Sequence, residues 1–319
     1  MSPLPILHPQ DESVFDIRVS AEPLKSEYGV GLVITCFNRP TYLHRTLSAL
    51  RKSDLSDTLV ILVDDCSDDF HTKHLVEEFY LEQTAIIKAV RKTSGNCAIH
   101  ENLKFGWDLL QTHFKCAYLT NLDSDAVVKP YWLNRLKDLV QESKMESSLF
   151  TGFNAYQHNT LREEDLYYEK ESIGGINFFF SESIYRQAIR PCLIDLQWDH
   201  HVVNSMTQHG KRIYCTNPSV VQHIGRNGIW SGPASGIFDF AIDFGGSNTF
   251  LKAIRMLYFR GCRKMLFLLS PIFLATKSAL RKMNILPAKL TDSVSKGFGS
   301  LTHTLSKWKF HTVYRKLYR

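Results

Sequence analysis

The sequence predicts an α/β fold, a mostly parallel sheet flanked by helices, that passes into a basic helical C-terminal extension. Apolar runs of strand length alternate with segments of helical period, the order that builds βαβ units. Two of those runs end in acidic clusters, Val63-Asp64-Asp65-Cys66-Ser67-Asp68-Asp69 and Leu122-Asp123-Ser124-Asp125. Both clusters fall where ligands gather in such sheets, at the carboxyl ends of the strands. Charge then breaks near residue 251: residues 1–251 carry 23 Lys+Arg against 31 Asp+Glu, a net of −8, and residues 252–319 carry 15 against the single acid Asp292, a net of +14.

Residues 1–28 form a polar, proline-bearing lead-in, expected to run as an arm over the surface. Val30 to Phe37 is a continuous apolar strand, and Asn38-Arg39-Pro40 breaks it before Tyr42 to Arg51, helical through Leu43, Leu47 and Leu50. Thr58 to Val63 is the next strand. A helix near 71–82, a strand at Ala85 to Val90, a helix near Ile99 to Thr112 and a strand at Cys116 to Leu122 continue the alternation. Then come a helix over Tyr131 to Ser143, a strand over Ser148 to Asn154 and an irregular stretch, 155–172. Ile173-Gly174-Gly175-Ile176-Asn177-Phe178-Phe179-Phe180 reads as a glycine turn feeding a strand, its glycines open to close approach by another molecule. A helix from Asp199 to Gly210 and a strand from Ile213 to Thr216 complete the body, which sets the organisation as arm 1–28, α/β domain 29–250 and basic amphipathic helical region 251–319.

The basic region requires an anionic partner. Its charges interleave with Leu257, Tyr258, Phe259 and the run Met265 to Leu269, a pattern that suits an anionic membrane surface better than nucleic acid. Two alternatives stay open: a helical subdomain whose Lys and Arg face water, and a dimerisation element. Met265 to Ala275 falls short of the roughly 20 residues that cross a bilayer, and Pro271 interrupts it. The start MSPLPILHPQDESVFD lacks a basic n-region, so the expectation is a cytoplasmic protein, peripheral on the inner face of a membrane. Seven widely spaced cysteines with no C-x-x-C pair read as reduced thiols used as small hydrophobes.

From Val30 to about residue 230 the chain resembles the inverting, metal-dependent nucleotide-sugar glycosyltransferases of the GT-A fold, family 2 above all. The resemblance rests on Val33-Ile34-Thr35-Cys36-Phe37-Asn38-Arg39-Pro40, Val63-Asp64-Asp65-Cys66-Ser67, Asp123-Ser124-Asp125, Gly174-Gly175, Trp198-Asp199 and Pro218-Ser219-Val220-Val221-Gln222-His223-Ile224-Gly225, in that order. One such motif is weak evidence; six in order are strong. The basic tail lies outside it.

The resemblance implies a role for each residue. Asp65 would contact uracil or ribose, a strand-end carboxylate accepting a pyrimidine N–H. Thr35 and Arg39 would lie under the nucleotide, Asp123 near the ribose or the metal's water shell, and Gly174 and Gly175 beside the donor. Asp125, with His223 as a further ligand, would hold Mn²⁺ or Mg²⁺. Asp199 would be the general base that deprotonates the acceptor hydroxyl. The loop from Arg226 to Gly236 carries Gly228, Gly232 and Gly236 around Trp230 and reads either as a lid over the donor, with Arg226 on the diphosphate, or as a structural loop. Two departures leave the donor sugar open, Ser94-Gly95-Asn96-Cys97 where many relatives carry Asn-x-Gly and Cys66 where glycine is common, and a third, Trp198 where glutamate often precedes the base, bears on the register of Asp199.

Two other functions compete. A sugar nucleotidyltransferase would need a glycine-rich loop after the first strand, and Thr35-Cys36-Phe37-Asn38-Arg39-Pro40 has none. A non-catalytic glycan-binding or scaffold protein on the same fold would be favoured by loss of Asp125 or Asp199, and both are present. The expectation is therefore hexosyl or N-acetylhexosaminyl transfer from a nucleotide sugar, UDP-linked, to a glycan or lipid-linked hydroxyl in cell-surface polysaccharide synthesis.

Overall fold

The computed structural model describes residues 14–93, 99–155, 157–225, 239–241 and 243–245. The chain divides into two compact units, Met1–Ile224 and Gly225–Arg319. In chain order the elements are β1 (Phe15–Val19), β2 (Glu27–Cys36), α1 (Pro40–Leu50), β3 (Thr58–Asp64), α2 (Phe70–Glu82), β4 (Ile86–Arg91), α3 (Ile99–His113), β5 (Lys115–Asp123) and β6 (Ala126–Val128). There follow α4 (Trp132–Ser143), β7 (Leu149–Thr151), β8 (Thr160–Glu163), β9 (Tyr167–Lys170), β10 (Phe179–Ser181), α5 (Trp198–Gln208), β11 (Ile213–Thr216) and β12 (Val221–His223). A short helical stretch over 182–192 precedes α5.

The large sheet has the order β1-β4-β3-β2-β5-β10-β7-β11-β9-β8, and a second, two-stranded sheet pairs β12 with β6. Its centre, β4-β3-β2-β5, is parallel. Parallel strands covered on both faces need apolar side chains at successive positions, and β3 is buried along its whole length. Outside that centre, β10 runs antiparallel to β5 and to β7. The mixed α/β fold with a large, mostly parallel central sheet is thus the one the sequence predicts.

The helices bear on the sheet through the residues their spacing selects. In α1, Leu43, Thr46, Leu47 and Leu50 are buried, the i, i+3, i+4, i+7 stripe of one helix face, and Pro40 occupies its first turn, where a missing N–H costs nothing. Asp69 caps α2 by accepting from Thr72 N at 2.6 Å. On α3, a Cβ at Gly106 would meet Val33 Cγ1 at 2.7 Å, so glycine is what lets this helix lie close on β2. Its neighbour Trp107 donates Nε1–H to Thr120 O at 3.2 Å and meets Phe180, Tyr185 and Trp198 edge-on, ring centroids 5.1, 5.8 and 6.3 Å away. Such pairs add about 0.5–1.5 kcal/mol each beyond the area they bury. They also fix Trp198 at the start of α5.

Several elements depart from the sequence expectation. The lead-in, expected to run over the surface, supplies β1, which pairs antiparallel with β4 and stacks Phe15 on Phe105 at 4.0 Å. Residues 155–172, expected to be irregular, contain β8 and β9 as an antiparallel edge pair. The strand expected over 148–154 is ordered as a strand only at Leu149–Thr151, and the one expected through 180 only at Phe179–Ser181. Residues 251–319 lie outside the described residues, and no described helix is long and apolar enough to cross a membrane.

Candidate active site at the carboxyl edge of the sheet

Strand register brings the acidic clusters to one edge. Cys36 lies opposite Asp64, and Thr35 lies between Val63 and Asp123, so the loops leaving β2, β3 and β5 start side by side. Asn38 ties the first two together. Its side-chain oxygen accepts from Asp68 N at 3.1 Å and Asp69 N at 3.0 Å, and its backbone N–H donates to Ser67 Oγ at 2.8 Å. Ser67 in turn donates to Asp64 Oδ1 through its hydroxyl, at 2.5 Å, and its backbone N–H, at 3.0 Å. Burial pushes the Asp64 carboxyl up, and the Ser67 bonds only partly oppose this, which marks Asp64 as a loop anchor. These bonds hold a backbone in which Asn38 and Arg39 are both left-handed, with φ 51° and 61°, at a cost on the order of 1 kcal/mol each. That conformation aims Arg39 across the edge.

Arg39 Nη1 meets Asp125 Oδ2 at 2.8 Å, and His223 Nε2 approaches the same oxygen at 3.3 Å. The small sheet explains the meeting. His223 pairs with Ala126, Gln222 with Val127 and Val221 with Val128, and Ile224 N donates to Asp125 O at 2.8 Å. This short ladder holds the turn after β5 against the end of β12. Burial alone would raise the Asp125 carboxyl, but His223 and then Arg39 outweigh it and hold the group below the usual carboxylate range. The buried Asp125 carboxylate and the buried His223 imidazole are an oxygen and a nitrogen donor that would fit Mn²⁺ or Mg²⁺. No third His, Cys, Asp or Glu joins them in metal-binding geometry among the described residues. Asp123, at the end of β5, is held through its backbone N–H, which donates to Ile176 O at 3.1 Å.

The glycine turn lies against the other side of β5. Asn121 donates Nδ2–H to Gly175 O at 2.7 Å and accepts from Phe178 N at 2.8 Å, while Asn177 donates to Asn121 O at 2.8 Å and accepts from Gly152 N at 2.9 Å. Gly175 N then donates to Asp199 Oδ2 at 3.2 Å. The space at Gly175 is taken from within the chain: a Cβ there would fall 2.6 Å from the Trp198 ring and 3.3 Å from Asp199 Cβ. Trp198, which departs from the family pattern in sequence, is therefore the packed residue that sets where Asp199 stands. Gly174 is open, its nearest neighbour for a Cβ being His158 Nε2 at 3.6 Å.

Asp65 sits apart from Asp125. Its backbone N–H donates to Cys36 O at 2.9 Å and its Oδ1 meets Arg91 Nε at 3.0 Å. Arg91 is further bound by Asn102 Oδ1, at 2.9 and 3.2 Å, and by Glu101 Oε2 at 3.0 Å, and its guanidinium lies 5.1 Å from the Phe15 ring. Sequence reasoning passed over Arg91, Asn38, Asn121 and Asn177. Arg91 carried one signal, a cation closing an apolar strand on the edge where the acids cluster. The three asparagines carried none until the register was known. Arg226, the lid loop and the stretch 94–98 lie outside the described residues.

Residues 32–187, which hold the three strand ends and the glycine turn, match the sequence model of Glycosyl transferase family 2. No curated protein sequence matches the chain. Among solved structures it is similar to GalNAc-T7, crystallised with UDP, GalNAc and Mn²⁺, at 16% identity and a TM-score of 0.51 over 70% of this chain. The match covers 45% of the GalNAc-T7 chain, so this chain spans less than half of that structure. It is also similar to S. aureus TarS 1-349, at 14% identity and a TM-score of 0.42, over 58% of this chain and 57% of that one. The same fragment in complex with UDP-GlcNAc gives 14% identity and a TM-score of 0.42 as well, with 55% of that chain covered. The fold is that of the GT-A glycosyltransferases.

Proposed function

We propose that this chain is a metal-dependent, inverting glycosyltransferase that moves a hexosyl or N-acetylhexosaminyl group from a UDP-sugar to a hydroxyl of a glycan or lipid-linked acceptor. The observation that carries the reading is the meeting of Asp125 and His223 beside Arg39, on the edge where β2, β3 and β5 end. The family 2 match over 32–187 and the likeness to GalNAc-T7, whose structure holds UDP, GalNAc and Mn²⁺, support it.

Asp125 and His223 would hold the cation, which when bound supplies positive charge for the departing diphosphate. The protein's own part lies in placement. Asp65, positioned by Arg91, faces the nucleoside as a hydrogen-bond acceptor, Thr35 lies under the nucleotide, and Asp123 stands near the ribose or the metal's water shell. Asp199 takes the acceptor's hydroxyl proton as that oxygen bonds to the anomeric carbon and the bond from that carbon to the diphosphate oxygen breaks, so configuration inverts in one displacement. Gly175 N holds the Asp199 carboxylate in place through Oδ2.

Calorimetric titration of the full chain with a panel of nucleoside diphosphates, with Mn²⁺ and with chelator, tests the reading. Metal-dependent binding of UDP that disappears in Asp125→Ala is the expected result. Absence of binding to every nucleotide would favour a glycan-binding or scaffold role instead. The tail supports a further element, attachment to the inner membrane face in surface-polysaccharide synthesis, through its net charge of +14 over 252–319. The full chain should then sediment with anionic vesicles and not with neutral ones, and lose the anionic binding in high salt.

A further inference from the structure

Arg39 occupies the carboxylate that the proposed cation would take. Asp125 Oδ2 already takes Arg39 Nη1 at 2.8 Å and His223 Nε2 at 3.3 Å, and the Asp125 side chain is only 10% exposed. A carboxylate so buried is costly without a counter-charge, and Arg39 supplies one. The guanidinium is otherwise poorly used. It has five N–H donors, yet Nε and Nη2 are shielded from solvent with no hydrogen-bond partner among the described residues. Its carbon lies 4.5 Å from the centre of the Tyr42 ring. Idle donors in a planar fork at the edge of a nucleotide site match the oxygens of a phosphate.

Resting on the reading of Asp125 and His223 as metal ligands, we infer that Arg39 is the resident counter-cation of Asp125. A divalent metal displaces it, and the diphosphate of the nucleotide then takes the released guanidinium. The charge balance makes the two binding events cooperative. With Arg39 on Asp125 the pair is neutral, and metal entering alone adds two positive charges to a confined site. Metal arriving with a nucleoside diphosphate brings the compensating negative charge and gives Arg39 a new partner. By linkage, the factor by which UDP tightens Mn²⁺ equals the factor by which Mn²⁺ tightens UDP. The Asn38 clamp joins this device to the loop carrying Asp65, since the same side chain that fixes the left-handed backbone at Arg39 binds Asp68 N and Asp69 N.

The test is Mn²⁺ affinity of the full chain, by calorimetry or by the electron paramagnetic resonance of free Mn²⁺, with and without saturating UDP. Arg39→Asn removes the guanidinium while accepting the left-handed backbone, and a thermal melt reports its fold. The wild type should bind Mn²⁺ about tenfold or more tightly with UDP than without. Arg39→Asn should bind Mn²⁺ alone more tightly than the wild type and lose most of the gain from UDP. Arg39→Lys keeps the charge without the fork, so it should retain weak binding of Mn²⁺ alone and lose part of the UDP gain. That result reads the inference even where the Asn variant is unstable. Unchanged or weaker Mn²⁺ binding in Arg39→Asn, or a full UDP gain in Arg39→Lys, overturns the inference and leaves the metal site standing, provided Asp125→Ala abolishes Mn²⁺ binding. Mn²⁺ binding that survives Asp125→Ala, or that is absent from the wild type with UDP, overturns both.

Discussion

Asp199 accepts a hydrogen bond from the backbone N–H of Gly175 at 3.2 Å, so the carboxylate we propose as general base is held by the turn that lies along the end of β5. Its other oxygen accepts from His200 N at 2.9 Å. Asparagine at this position keeps one acceptor oxygen, which can serve Gly175, and gives up the bond from His200 N together with the ability to take a proton. Asp199→Asn should therefore lower turnover by about 10² or more while leaving UDP affinity near the wild-type value. Steady-state kinetics paired with UDP titration separates the two effects. An equal loss of nucleotide binding would make Asp199 a structural residue of the turn.

The two adjacent glycines should respond differently to the same methyl group. At Gly175 the added carbon would fall 2.6 Å from the Trp198 ring, which is itself locked among Trp107 and Phe178, whereas at Gly174 nothing lies closer than 3.6 Å. Gly175→Ala should cost about 1–3 kcal/mol through overpacking and shift Asp199 with Trp198, lowering turnover. Gly174→Ala should melt within about 0.5 kcal/mol of the wild type. Chemical unfolding of both variants decides it, and similar costs at the two positions would contradict the packing described.

The central strands were legible because burial on both faces leaves a continuous apolar run, and the acidic clusters were legible because they sit where those runs stop. Legibility failed where the signal was short or the partner distant. β1 offers only Phe15, Ile17 and Val19 on alternate positions, and β8 is exposed at all four residues, so no apolar pattern marks it. β6 and β12 are three residues each, too short to register as strands, yet they bring His223 to Asp125. Arg39 was visible as the residue before a proline. That it lands on Asp125 follows from two consecutive left-handed residues and from strand register, neither of which can be read from the chain.

Arg91 pairs with Asp65 at 3.0 Å, with both side chains nearly closed to solvent, at 10% and 5% exposure. Removing the cation leaves a buried carboxylate without its counter-charge, which costs about 3 kcal/mol or more when nothing replaces it. Arg91→Leu should show that loss in urea unfolding and should weaken UDP binding by misplacing Asp65. Asp65→Asn should cost less, because Arg91 keeps Asn102 and Glu101. A larger cost for Asp65→Asn than for Arg91→Leu would contradict this support.

Asp69 ties acid stability to the candidate site, since it caps α2 and lies in the loop that Asn38 clamps. The Thr72 hydroxyl and then its backbone N–H hold the Asp69 carboxyl below its ordinary value, at 2.8 and 2.6 Å. The folded state binds this proton less readily than the unfolded chain, so the cap's stabilisation is fully present above the unfolded pKa of about 3.9 and is lost as pH falls through the lower folded value. Asp69→Ala should therefore melt below the wild type at pH 7. The gap between the two melting temperatures should shrink steadily from about pH 4 downward. A gap that stays constant with pH would mean the carboxylate charge contributes nothing to the cap, and a gap that widens in acid would reverse the sign of the linkage.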